Sequence, residues 1–149
     1  MAKKFNFKLD PVLKIRSYKV KEAKEDLGKT VSDRVKAELE IENRQQYLND
    51  YVQSKIGKLN AAELQTHWNH KGYIEDEINN LSEERQKLII IEEKKRVKLD
   101  TAMQKEKVIS KLKERRKTEY TDTLNKEETK EMDEIARNMN RLNKNNNKK

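Results

Sequence analysis

Cysteine is absent from this chain, proline occurs once, and glycine three times in 149 residues. The missing thiols exclude disulfides, thiol catalysis and cysteine zinc sites. Proline and glycine end or weaken helices, so their scarcity permits long uninterrupted ones. Aromatic residues make up 5% of the chain, and hydrophobic residues 33% against 42% charged. An average soluble domain is nearly half apolar and about a quarter charged. The apolar residues therefore suffice for a seam and not for a three-dimensional core. Apolar runs are short, as at Leu88-Ile89-Ile90-Ile91, whereas a membrane-spanning helix needs about 20 such residues. The basic stretch Met1 to Leu9 is not followed by an apolar segment, which predicts no secretory leader. No phosphate-binding loop, dinucleotide fingerprint or nucleophile elbow occurs. Scattered carboxylates on a narrow helix pair have no cleft in which to shift a pKa. No catalytic, cofactor or metal site is expected, and the chain reads as a non-enzyme of the cytoplasm.

What the chain does have is charge, and its distribution is uneven. The formal net charge is +8. Residues 1–30 carry a net +5 and residues 137–149 another +5, while residues 31–136 sum to −2. Both ends are basic and the body is nearly balanced. If the chain folds back on itself, the two basic ends are expected to meet.

Apolar residues then recur at helical spacing. Asp10-Pro11 reads as an N-cap followed by proline in the first turn, with Leu9 placed to staple that turn. Leu13, Val20, Leu27, Val31, Ile41, Leu48, Val52 and Ile56 follow in steps dominated by seven, four and three, and Ala23, Arg34 and Ala37 fill other seam positions. That is a narrow coiled-coil stripe. It breaks at Gly57, and Asn60-Ala61-Ala62-Glu63 reads as a variant capping box. A competing turn lies at Asn69-His70-Lys71-Gly72. A second stripe runs from Leu64 through Trp68, Ile74, Leu81, Leu99 and Ile109 to Leu124, and resumes at Met132, Ile135, Met139 and Leu142.

The expected fold is all-α: a long antiparallel two-helix coiled coil, with helix one at about 11–56, a turn at about 57–60 and helix two at about 61–142. Residues 1–142 form one helical-hairpin domain, and 143–149 a disordered Asn/Lys tail. Residue 12 is expected to pair with roughly residue 106, which leaves about 35 C-terminal residues without an intramolecular partner.

Several side chains are candidates for contact. Tyr47 and Tyr51 share a helix face at i, i+4 and read equally as seam packing or partner binding. His67 and His70 read as a surface pair, because two ligands do not make a typical metal site. Trp68 is expected to cap the seam at the turn end. Lys94-Lys95-Arg96 and Arg115-Arg116-Lys117 lie among acids and read as a solvated face.

Three stretches carry a family likeness. Phe5-Asn6-Phe7-Lys8-Leu9-Asp10-Pro11-Val12-Leu13-Lys14-Ile15-Arg16 looks like F-x-F-x-L followed by x-P-V-L and a basic residue. Tyr47-Leu48-Asn49-Asp50-Tyr51, then Trp68-Asn69 and Tyr73-Ile74, look like two tyrosines four apart followed by a Trp and an aromatic-Ile pair. Lys130-Glu131-Met132-Asp133-Glu134-Ile135-Ala136 looks like K-x-M-D-E-x-A. In order and spacing the chain resembles the FliJ family, the small rod subunits of the flagellar type III export ATPase complex. Gly72 departs from the pattern, where the family more often keeps helix formers.

The resemblance implies an antiparallel coiled coil that inserts its terminal end into the hexameric export ATPase and promotes its assembly and activity. It also implies contact with the export gate and with substrate chaperones, at the inner face of the membrane at the flagellar base. It suggests Lys14, Arg16, Lys19, Lys21, Arg137 and Arg141 for the ATPase, and Tyr47, Tyr51 and Tyr73 for the gate. Two other readings compete: a homodimeric coiled-coil scaffold, and a basic nucleic-acid-associated coiled coil. The latter needs a continuous positive stripe, which the near-neutral middle does not offer.

Overall fold

A computed structural model describes residues 4–146. Two helices account for nearly all of them: α1, Asp10–Lys55 (46 residues), and α2, Ala61–Asn146 (86 residues). They pack side by side in antiparallel fashion, and no strand occurs among the described residues. The chain divides into two compact units, Met1–Ser17 with Gln104–Lys149, and Tyr18–Met103. Each is described separately below as the terminal unit and the middle unit.

In the middle unit the turn is built by local chemistry. Gly57, two residues beyond the end of α1, has φ +75°, the left-handed conformation that closes many helices. The amide of Lys58 donates to the Lys55 carbonyl at 3.3 Å. Asn60 then caps α2 with a reciprocal box: the Glu63 amide donates to Asn60 Oδ1 at 2.9 Å, and the Asn60 amide donates to Glu63 Oε2 at 3.0 Å. The competing turn at 69–72 does not form. Helix α2 runs straight through Gly72, because the capping box has already started it and one glycine costs only about 1 kcal/mol in a helix.

The seam of α1 keeps a strict alternation of three and four. Val20, Ala23, Leu27, Thr30, Arg34, Ala37, Ile41, Arg44, Leu48 and Tyr51 are all buried or half-buried. Ala23, Ala37 and Arg34 thus occupy the seam as their spacing suggested. On α2 the phase slips: Leu81, Leu88 and Glu92 are covered, but two steps of four follow each other where a three belongs. Such a stutter locally unwinds a coiled coil. Polar groups fill the gap. Arg34 Nε donates to Glu92 Oε2 at 2.6 Å, Arg96 to Glu92 Oε1 at 2.6 Å, and Arg85 and Arg34 both reach Glu38 at 2.9 Å. One layer on, Lys95 Nζ donates to the buried Thr30 hydroxyl at 2.8 Å. Lys95 therefore belongs to the seam and not to a solvated face.

The slip changes the pairing. Arg44 meets Glu77 and Arg34 meets Glu92, so ten residues of α1 are matched by fifteen of α2. In the terminal unit Ser17 meets Glu106 and Asp10 meets Lys113, seven residues of each helix, so no further slip occurs there. Val12 lies between these pairs, so its partner is near residue 111 rather than 106.

The terminal unit opens with a non-helical strap, residues 4–9, lying along α2. Phe7 is buried, and the Phe5 ring sits 5.5 Å from that of Tyr120. A chain outside a helix advances about 3.3 Å per residue against 1.5 Å inside one. A short strap therefore reaches from Leu112 to Thr123 along α2. The first helical bond of α1 runs from the Leu13 amide to the Leu9 carbonyl, so Leu9 and not Asp10 holds the cap position. The Asp10 carboxylate accepts from Lys113 Nζ at 2.7 Å. Beyond Leu124 every residue of α2 through Asn145 is exposed. Residues 143–146, assigned by sequence to the tail, continue the helix; each added residue gains a backbone bond, and Lys144 suits the negative end of the dipole. Residues 147–149 lie outside the described residues.

Candidate partner-binding surfaces

The middle unit carries an aromatic cluster near the turn. Tyr51 holds a seam position and is half-buried. Its ring stacks on His67 at 4.7 Å and meets His70 edge-on at 4.7 Å. Tyr47, one turn earlier, is 48% exposed and stacks on Tyr51 at 6.2 Å. Its hydroxyl lies 3.3 Å from His70 Nε2. Tyr51 thus packs in the seam, and Tyr47 faces out beside it. The imidazoles sit beneath the tyrosines, not on an open surface, and His67 Nδ1 is buried without a hydrogen-bond partner. Among the described residues no group of three or more His, Cys, Asp or Glu gathers to hold a metal.

Trp68 does not cap the seam. It is 64% exposed, with Lys71 Nζ 5.0 Å from its ring, and Lys71 in turn pairs with Glu75 at 3.5 Å. The cause is phase: His67, one residue earlier, takes the covered position beside Tyr51, and the next residue of a helix points about 100° away. Tyr73, 62% exposed, is a second outward ring on the same helix.

The polar centre of this unit carries its shifted groups. Hydrogen bonds from Arg85 and then Arg34 hold the Glu38 carboxyl below the usual carboxylate range. Bonds to Glu92 and then Glu38 raise the Arg34 pKa and keep its guanidinium charged. These are structural ion pairs on a solvent-facing seam.

The candidate basic contacts split in character. Lys19 and Lys21 in the middle unit, and Lys14 in the terminal unit, are exposed. Arg16 is occupied, since its Nη1 donates to the Lys105 carbonyl of α2 at 2.7 Å. Arg137 and Arg141 stand free on one side of the α2 extension, one turn apart. Among the described residues the two basic chain ends do not meet. The described strap reaches Thr123, and the basic run begins about 20 Å farther along the helix. Between them lie Glu127, Glu128, Glu131, Asp133 and Glu134.

One feature escaped the sequence, and a second was marked there with a different start. Strap and α2 enclose a groove of about 690 Å³ lined by Phe5, Phe7, Leu9, Leu112, Arg116 and Tyr120 among others; the alternating Phe5, Phe7, Leu9 was its signal. The extension exposes Met132, Ile135, Met139 and Leu142 at between 53% and 69%. The sequence had marked these four as unpaired but placed the start of the unpaired stretch too early. No helix among the described residues is long and apolar enough to cross a membrane.

Comparison with curated proteins and with solved structures found no match. A family model does match: that of the flagellar FliJ protein, over residues 5–145. That span covers the strap, both helices and the extension, and the chain therefore belongs to the flagellar FliJ family, with a role in the flagellar export apparatus.

Proposed function

We propose that this chain is the rod subunit that seats its terminal end in the ring of the hexameric export ATPase, promotes the ring's assembly and activity, and links it to the export gate and to substrate chaperones. The observation that carries the reading is the bare end of α2. From Asn125 to Asn145 the helix has no partner within the chain, and it offers an apolar stripe on one face and Arg137 and Arg141 on the opposite one. A helix with such a stripe needs another protein to cover it.

A single subunit inside a six-fold ring meets several copies of one surface with one asymmetric face. Exposed charges suit that task. Individual surface ion pairs contribute roughly 1 kcal/mol or less, so contacts through Lys14, Lys19, Lys21, Arg137 and Arg141 exchange as the ring changes state. Arg16 contributes by holding α1 on α2. For the gate, Tyr47 and Tyr73 present rings to solvent and Tyr51 backs Tyr47, while Trp68 points to another side of α2. Association with the membrane is peripheral and runs through these partners.

The test is ATP hydrolysis by the cognate export ATPase with and without this protein, alongside size-exclusion of the mixture. Stimulation with co-elution at hexamer size is expected, and Arg137→Ala with Arg141→Ala is expected to lower stimulation several-fold. No stimulation and no co-elution would end the reading.

A further inference from the structure

The exposed stripe of α2 reads the same in both directions. Its apolar residues are Met132, Ile135, Met139 and Leu142, spaced three, four, three. The same seam continues to Glu128 on one side and Asn146 on the other, each four residues away. All six positions are symmetric about Arg137. A stripe with that symmetry fits a second helix of identical sequence running the opposite way. Met132 then faces Leu142 of the second copy, and Ile135 faces Met139.

The summed charge along the helix favours the same arrangement from a distance, since the charged side chains other than Glu128 and Glu131 point away from the seam. Residues 126–134 carry Glu127, Glu128, Glu131, Asp133 and Glu134 against Lys126 and Lys130, a net −3, while residues 137–146 carry Arg137, Arg141 and Lys144, a net +3. Antiparallel apposition sets the acidic half of each helix beside the basic half of the other, and parallel apposition sets like beside like. The residues flanking the seam raise no obstacle. They are Thr129, Ala136, Asn138, Asn143 and Asn145, with Glu131 as the one charge, and in this register Glu131 lies across from Asn145. The intramolecular hairpin is untouched, because none of these side chains contributes to it.

We infer that two copies of this protein associate through the α2 extension as an antiparallel pair. Four apolar layers make a short interface, smaller than the ~800 Å² per partner of a stable complex. The dimer is therefore weak, with Kd on the order of tens of micromolar, and reversible. It covers the same stripe that the ATPase reading assigns to the ring, so the two states exclude one another. The pairing itself does not depend on that reading.

Sedimentation equilibrium of the full chain over a wide concentration range tests it. The mass is expected to rise from 17.8 kDa towards twice that value. Ile135→Glu with Met139→Glu is expected to weaken association at least tenfold while the thermal unfolding of the hairpin stays unchanged. Because the chain has no cysteine, single introduced thiols report orientation. An equal mixture of Ile135→Cys and Met139→Cys is expected to cross-link on oxidation, and Met132→Cys alone is expected not to. A monomer at every concentration, a dimer that survives the double Glu variant, or strong self-cross-linking of Met132→Cys would each overturn the inference. ATPase stimulation is measured separately, so its loss leaves the dimer standing and the reverse.

Discussion

An added methyl group at Gly72 meets nothing within 4 Å, and the same is true at Gly57. The two sites nevertheless respond with opposite sign. Gly72 lies inside α2 with ordinary helical backbone, so Gly72→Ala is expected to raise stability by roughly 0.5–1 kcal/mol through the unfolded chain's lost freedom. Gly57 has φ +75°, where a Cβ strains the backbone, so Gly57→Ala is expected to lower stability by about 1 kcal/mol. Urea unfolding of the two variants beside the parent separates them. Asn60→Ala removes the acceptor for the Glu63 amide and is expected to cost about 1 kcal/mol in the same assay. These residues were readable beforehand, because turn and cap chemistry is local. Trp68 was not. Its exposure depends on which of two neighbouring residues, His67 or Trp68, takes the covered phase, and that choice is made by Tyr51 across the seam.

At the scale of the helix pair, the seam contains hydrogen-bonded charge as well as apolar contact. Hydrophobic periodicity finds Val20, Leu27, Ile41 and Ile74, the last only 1% exposed. It does not find Thr30, Glu92, Lys95 or Glu106, which occupy seam positions with polar partners. The offset between the helices was illegible for the same reason, since it arises at a stutter that charged residues fill. The polar centre gives the pair a pH response. The Glu38 carboxyl is held low chiefly by its hydrogen bond from Arg85 and next by that from Arg34. A depressed carboxylate contributes stability above its unfolded pKa of about 4.3, and the contribution is lost as pH falls through the lower folded value. Glu38→Gln is therefore expected to lose less Tm than the parent between pH 6 and pH 3. Glu38 is a third exposed, so solvent screens the pair and the difference is modest.

For the molecule as a whole, the division between what folds and what waits for a partner falls near Leu124. Ending the chain after that residue is expected to leave the Tm of the remainder unchanged, because residues 125–145 are exposed throughout. Only the helical signal in circular dichroism falls. The family was legible from the strap motif, the tyrosine pair and the K-x-M-D-E-x-A stretch. The length of the free extension was not, because it depends on the strap and on the stutter together.

The free extension draws its helicity from local propensity alone, and an unsupported helix in water is only marginally formed. Its last turns hold Asn138, Asn140, Asn143 and a closing Asn run, poor helix formers. Whatever grips this segment must therefore complete its ordering as well as cover its stripe. Part of the interaction is spent on that ordering, so release is fast. Substituting Ala for Asn138 and Asn140, neither of them on the stripe, should then lengthen the lifetime of any complex without adding a single contact. The stiffness of this one segment becomes a timing element for a machine that must let go as often as it holds.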